Sequence, residues 1–326
     1  MSKKKWLIFT LLAIIIAYLI GPHPSTPQYA RELPAIPDEV ENYVRHNELQ
    51  HKLRPDNEAR IVWANDSLKQ KTEYAIVYLH GFSASQGEGE PVHRTIAKRF
   101  GCNLYLSRLA EHGIDTTEKL VNLRADKLWQ SAQEAYAIGR KLGDKVIVMG
   151  TSTGGTLALM LGAAYPDIYS LVLLSPNVRI FDDNAWLLNN PWGLQLARMI
   201  TGSDYVYSED TRPLYKQYWS YGYRLEAVTE LQEMLETSME PETFKKITQP
   251  TLMLYYYRDQ VHQDSVVKVD EMKKMFAQLS TPENKKRAVA MPKTGNHVIG
   301  SYIKSGDVDG VTKEIEKFMV EVLKLK

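Results

Sequence analysis

Ser152 stands between two threonines and two glycines in Gly150-Thr151-Ser152-Thr153-Gly154, where the apolar run of residues 146–149 stops. A serine hydroxyl is a poor nucleophile at neutral pH. It attacks a carbonyl only when a neighbouring base takes its proton and a further acid orients that base. A glycine two residues before the serine and another two after it let a strand and a helix approach closely around a tight turn. The serine is then held exposed on a strained backbone. The spacing alone is also that of an ordinary strand-to-helix corner. Its position adds weight: VIVM before it reads as a buried strand, and TLALMLGAAY after it reads as a helix.

The flanking sequence supplies the elements to hold such a turn. Short apolar runs, ARIVWAN, TEYAIVYLH, CNLYLS, KVIVMG and SLVLLSP, alternate with helical patterns at 91–101, 117–142 and 154–165. Near-continuous apolar strands separated by helices predict a mostly parallel sheet covered on both faces. The alternation breaks at about 177–247, a stretch rich in tryptophan and tyrosine with helical segments and no convincing strand. It resumes with QPTLMLYYYRD, a helix over 265–279, the strand KKRAVAMP and a last helix from about Val311. The reading is one α/β domain over 51–326 with a helical cap insertion at about 177–247. The cap aromatics either line an apolar pocket or form the insertion's own small core, and the two readings are compatible.

The order of these elements resembles the α/β-hydrolase superfamily over roughly residues 59–326. LHGFSAS, the RLAEHGID segment and GTSTGG are most similar to its monoacylglycerol lipase and carboxylesterase branch, whose members usually carry glycine where this chain has Glu111. The resemblance implies an α/β-hydrolase fold and a catalytic order of serine, acid, histidine. Only His262 and His297 follow the candidate acid. His297, in the loop MPKTGNHVIG after the last strand, is implied as the base, because His262 lies too close to the acid in one loop. Asp259, at the end of TLMLYYY, is implied as the acid. Asp264 is its nearest rival, better suited to capping the helix expected from Ser265, and Asp182 and Asp183 are lesser ones. By the same resemblance the oxyanion donors are the backbone N–H groups of Phe82 and Thr153.

Other features narrow the chemistry. Forty basic and 39 acidic residues leave a net charge of +1, so no general pull toward nucleic acid is expected. The single cysteine, Cys102, excludes an intramolecular disulfide and a multi-cysteine zinc site, and reads as a buried thiol. GFSASQGEGE lacks the lysine of a phosphate-binding loop, and His80 reads as a brace at a strand end. No metal or organic cofactor is called for.

Residues 1–22 place MSKKK before an uncharged apolar run from Trp6 to Ile20. That order describes a signal peptide or a signal anchor, with no clear small-residue cleavage site after it. An anchor would make the membrane a partner and put the main domain outside the cytoplasm, and cleavage would leave a secreted or periplasmic protein. Residues 23–50, with Pro22, Pro24, Pro27, Pro34 and Pro37 in or beside them, read as a stiff spacer. The function expected from all this is a serine hydrolase of carboxylic esters, small or lipid-like. An amidase or peptidase on the same fold and a non-catalytic, membrane-tethered binding protein are the alternatives.

Overall fold

Residue-by-residue alternation along the central strands divides the core into two layers. Ala75, Val77 and Leu79 face one side and Ile76 and Tyr78 the other, and all five are fully buried. The computed structural model describes residues 3–326, so Met1 and Ser2 of the expected leader lie outside the described residues. The chain opens with helices α1 (Lys3–Leu19) and α2 (Val40–Leu49), then β1 (Arg60–Val62), β2 (Thr72–Leu79), α3 (Val92–Arg99) and β3 (Asn103–Leu106). It continues through α4 (Ala125–Leu142), β4 (Gly143–Thr151), α5 (Thr153–Ala164) and β5 (Ser170–Leu174). The insertion holds α6 (Gly193–Thr201), β6 (Tyr205–Tyr207), α7 (Pro213–Tyr218), β7 (Gly222–Arg224), α8 (Leu225–Ser238) and α9 (Pro241–Phe244). The frame resumes with β8 (Thr251–Tyr255), α10 (Val269–Ala277), β9 (Lys286–Ala290) and α11 (Val308–Glu321).

Seven strands form one sheet in the order β1-β3-β2-β4-β5-β8-β9, parallel except for β1, which runs antiparallel to β3. Helices α4 and α5 pack on one face, and α3 and α11 on the other. Each fully buried leucine or valine in these layers stabilises the fold by about 1.5–3 kcal/mol. Because β2, β3, β4, β5, β8 and β9 run the same way, the residues that follow them collect along one rim, where open α/β sheets bind ligands.

Several expectations change. The helix expected over 117–142 begins only at Ala125, because residues before it turn irregularly through Leu120, which has φ of 61°. The helix expected from Ser265 begins at Val269. The insertion contains a two-stranded antiparallel ribbon, β6 with β7, which its aromatic, aperiodic sequence conceals. The expected spacer is tied down. α2 buries Val40 and Val44 in the core, and the extended stretch before it accepts hydrogen bonds at Ala30 O from Trp129 Nε1 (2.6 Å) and Gln133 Nε2 (2.9 Å).

The expected membrane anchor is not supported: among the described residues no helix is long and apolar enough to cross a membrane. α1 carries exposed apolar side chains from Trp6 to Leu19. The end of this segment meets the insertion at Trp192, whose indole donates to Ala17 O and whose backbone N–H donates to Pro22 O, both at 2.9 Å.

Candidate active site

The corner after β4 shows why its glycines are needed. A Cβ on Gly150 would collide with the backbone of Gly154, and one on Gly154 with the carbonyl of Leu79. With no side chains in the way, β4 runs directly into α5, and Ser152 takes φ 54°, ψ −116° at the junction. That conformation is costly for any residue with a side chain, by about 1–3 kcal/mol, and persists because both flanking elements impose it. Ser152 N–H donates to Leu174 O (3.0 Å), and its own carbonyl accepts from Thr156 N–H (3.1 Å) and Asn177 N–H (3.0 Å). The turn is therefore pinned to the neighbouring strand and the chain beyond it.

His297 follows β9 and is buried. Its Nδ1 lies 2.6 Å from Oδ2 of Asp264. The other oxygen of Asp264 accepts from the N–H groups of Val266 (2.9 Å) and Val267 (3.1 Å), so the carboxylate, itself fully buried, is fixed at both oxygens. Burial alone would lower the pKa of His297. The charge and hydrogen bond of Asp264, with the more distant charge of Glu88, outweigh burial and raise it. Nε2 of His297 is buried and has no hydrogen-bond partner among the described residues, and His297 lines the same cleft as Ser152.

The acid expected from the sequence is thus displaced. Asp259 is half exposed, and its Oδ1 accepts from the N–H groups of Val261 (3.0 Å) and His262 (2.8 Å) and meets His262 Nδ1 at 2.9 Å. It serves its own loop and does not reach His297. The reason is local: after β8 the chain makes a closed excursion, with Tyr257 bridged to Gln263, before Asp264 N–H returns to Tyr256 O (3.2 Å). That return brings Asp264 back to the strand end. Asp183 pairs with Lys268, and Asp182 caps the turn at Asn184 (2.8 Å).

Across the cleft, the loop after β2 is held by two neutral histidines. His80 Nδ1–H donates to Gly81 O (2.9 Å), while its Nε2 accepts from Leu109 N–H (3.0 Å). His112 Nε2 accepts from Ser83 N–H (3.0 Å), and its Nδ1–H donates to Ala110 O (2.8 Å). Burial pushes the pKa of His80 well below the ordinary histidine range and that of His112 down to about 4, so both stay uncharged. His80 is the brace expected of it, and His112 is a second brace that the sequence did not single out. The N–H groups of Phe82 and Thr153 donate to no other group among the described residues. Phe82 and Ser152 both line the cleft.

The cleft has a volume of about 460 Å3. Ser152, His297, Glu88 and Asn177 line it from the sheet rim, and Tyr215, Trp219, Tyr223 and Leu231 from the insertion. Tyr215 and Trp219 stack at 5.0 Å and are buried, so the cap aromatics both wall the cleft and pack on each other. A larger depression of about 620 Å3 beside α11 is lined by charged residues such as Lys313 and Glu314 and holds no serine or histidine. Among the described residues no group of three or more metal-binding side chains converges. Glu88, buried in the cleft wall, is the ionisable group of the site that the sequence reading passes over. Its signal was a carboxylate inside a glycine-rich turn just after the His-Gly loop.

Comparison with known proteins agrees with this architecture. The model of the alpha/beta hydrolase family matches residues 76–301. No curated protein matches the chain. Among solved structures, one of the metagenome-derived lipolytic enzymes LipS and LipT is similar at 14% identity with a TM-score of 0.65, covering 82% of this chain and 99% of that one. The ferulic-acid-bound Est1E from Butyrivibrio proteoclasticus is similar at 16% identity and a TM-score of 0.54, over 82% of this chain and 95% of its own. A lipase-esterase related protein from Clostridium acetobutylicum is similar at 15% identity and a TM-score of 0.53, over 80% and 99% of the two chains. At these identities the likeness is one of fold.

Proposed function

The chain belongs to the alpha/beta hydrolase family, and from that premise we propose that it is a serine hydrolase of carboxylic esters, in the manner of a carboxylesterase or monoacylglycerol lipase. The observation that carries this reading is the strained Ser152 at the head of α5, in one cleft with a histidine whose far nitrogen is held by a buried carboxylate.

In this mechanism His297 Nε2 takes the Ser152 proton as Oγ attacks the ester carbonyl. The electron pair of the C=O moves to oxygen, where the N–H groups of Phe82 and Thr153 stabilise it, each worth about 2.7–4 kcal/mol in such sites. Collapse expels the alcohol, which takes the proton back from His297 and leaves an acyl-serine. Water, deprotonated by His297, then releases the acid and regenerates Ser152. Asp264 holds the imidazole with Nε2 toward the cleft and stabilises its cationic form. The aromatic cap wall suits an apolar acyl or alcohol portion.

Replacing Ser152 with alanine should abolish hydrolysis of p-nitrophenyl acyl esters and labelling by a fluorophosphonate probe, while the thermal transition stays within a few degrees. Retained turnover would overturn the assignment. Matched ester and anilide substrates separate this reading from an amidase.

Export belongs to the same proposal, supported by the order of Lys3–Lys5 and the apolar helix α1. A mature protein that keeps its leader and fractionates with the cytosol would refute it.

A further inference from the structure

Glu88 is a buried carboxylate without a lysine or arginine beside it, an arrangement that costs stability and needs a reason. It lies in the short helical turn Gln86–Gly89 and lines the cleft with Ser152 and His297. One carboxylate oxygen accepts the N–H of Gly81. A Cβ on Gly81 would meet Glu88 Oε1 at 2.7 Å and Ser152 Cβ at 3.1 Å, so the carboxylate and the serine flank the same backbone atom.

Gly81 is gripped from both ends. Glu88 holds its N–H, while its carbonyl accepts from His80 Nδ1 (2.9 Å) and Ala84 N–H (3.3 Å). In a trans peptide the N–H of the next residue points opposite to that carbonyl. Fixing Gly81 therefore fixes the direction of the Phe82 N–H.

The groups facing Glu88 are few. Tyr78 and Tyr215 are phenols whose own ionisation burial disfavours, Trp219 is uncharged, and His297 is the partner that offers positive charge. His297 is backed in turn by Asp264, and Lys304, also in the cleft wall, is committed to Asp210 at 3.1 Å. Burial raises the pKa of Glu88 to about 7, against the pull of the Gly81 N–H and of His297. Its negative charge and the positive charge of His297 favour one another.

We propose that Glu88 is a positioning residue for hydrolysis: it fixes the Gly81–Phe82 turn that presents an amide to the oxyanion, and its negative charge favours the protonated form of His297. This inference rests on the hydrolase reading of Ser152. Glu88 thereby raises the lower pH limit of activity that His297 sets.

The test separates the two roles. Glu88→Gln keeps an acceptor for Gly81 and removes the charge. Its acid limb of kcat/KM should move to lower pH by about half a unit or more, and its alkaline plateau should fall less than that of Glu88→Ala. Glu88→Ala removes the acceptor as well, and its plateau kcat should fall by about 10- to 100-fold with KM little changed. A Glu88→Gln profile that superimposes on the parent, or an unchanged plateau in Glu88→Ala, overturns the proposal. NMR titration of the His297 imidazole in Ser152→Ala, with and without Glu88→Gln, needs no turnover. The midpoint should fall when the charge is removed, and an unmoved midpoint is equally fatal. If the parent protein neither hydrolyses esters nor labels with a fluorophosphonate, the hydrolase reading fails, while the His297 titration still decides the coupling.

Discussion

Asp264 meets His297 at 2.6 Å with one carboxylate oxygen and receives two backbone N–H groups with the other, so its position is set by the chain and passed on to the imidazole. Asp259, closer to the end of β8 in sequence, spends the same bonding capacity on its own loop.

This contrast gives the first prediction. Asp264→Asn should lower kcat by about 10^3- to 10^4-fold, because a neutral amide neither stabilises the imidazolium nor enforces the right tautomer. Asp259→Asn should leave kcat within about twofold. Steady-state rates on a p-nitrophenyl ester check both, and equal losses in the two variants would remove Asp264 from its assigned role.

Acid stability follows from the buried histidines. His80, His93 and His112 are neutral in the fold, with pKa values pushed down by burial, to about 3 for His93 and about 4 for His112. Unfolding lets each take a proton below its ordinary value of about 6.5, so their stabilising effect is complete above that pH and is lost as pH falls toward 4. For His112 the loss is on the order of 3 kcal/mol. Glu88 and Glu230, raised by burial, and His297, raised by Asp264, act in the opposite sense, whereas carboxylates held low by cationic partners, such as Asp210 and Asp115, add to the loss on acidification. Chemical denaturation at pH 7 and pH 4.5 should therefore show a marked fall in stability. A flat profile would contradict the neutral, hydrogen-bonded state of the loop histidines.

A backbone prediction concerns Glu111, which has φ of 65°, in the left-handed region. There a residue with a Cβ is less stable than glycine by about 1–2 kcal/mol, partly offset by the greater freedom of glycine in the unfolded chain. Glu111→Gly should stabilise the protein by about 0.5–1 kcal/mol, and Glu111→Val should destabilise it. Thermal melts of the three proteins check the order. The glycine usual in similar hydrolases at this position has a steric explanation.

What the sequence discloses depends on how local the determining forces are. The elbow at Ser152 is legible because its glycines, its apolar strand and its helix are contiguous, and the steric demand is met within a few residues. The parallel frame is legible because strands buried on both faces leave unbroken apolar runs. Asp264 is not, because its place depends on the Tyr257–Gln263 bridge, formed between residues with no hairpin signature. The β6–β7 ribbon is hidden for another reason, since each of its strands is only three residues long, too short to display an alternating pattern. Glu88 escapes notice because its partners are the Gly81 N–H, which leaves no mark in the choice of side chains, and the neutral side chains of Trp219 and Tyr78.

The closed loop between Tyr257 and Gln263 also bears on how this protein can change. Since the bridge seals the loop at its base and Asp264 departs from below the seal, residues added or deleted at the tip need not disturb the acid. Asp259 and His262, exposed at that tip, are free to drift, so variation there is a poor guide to whether catalysis has been kept.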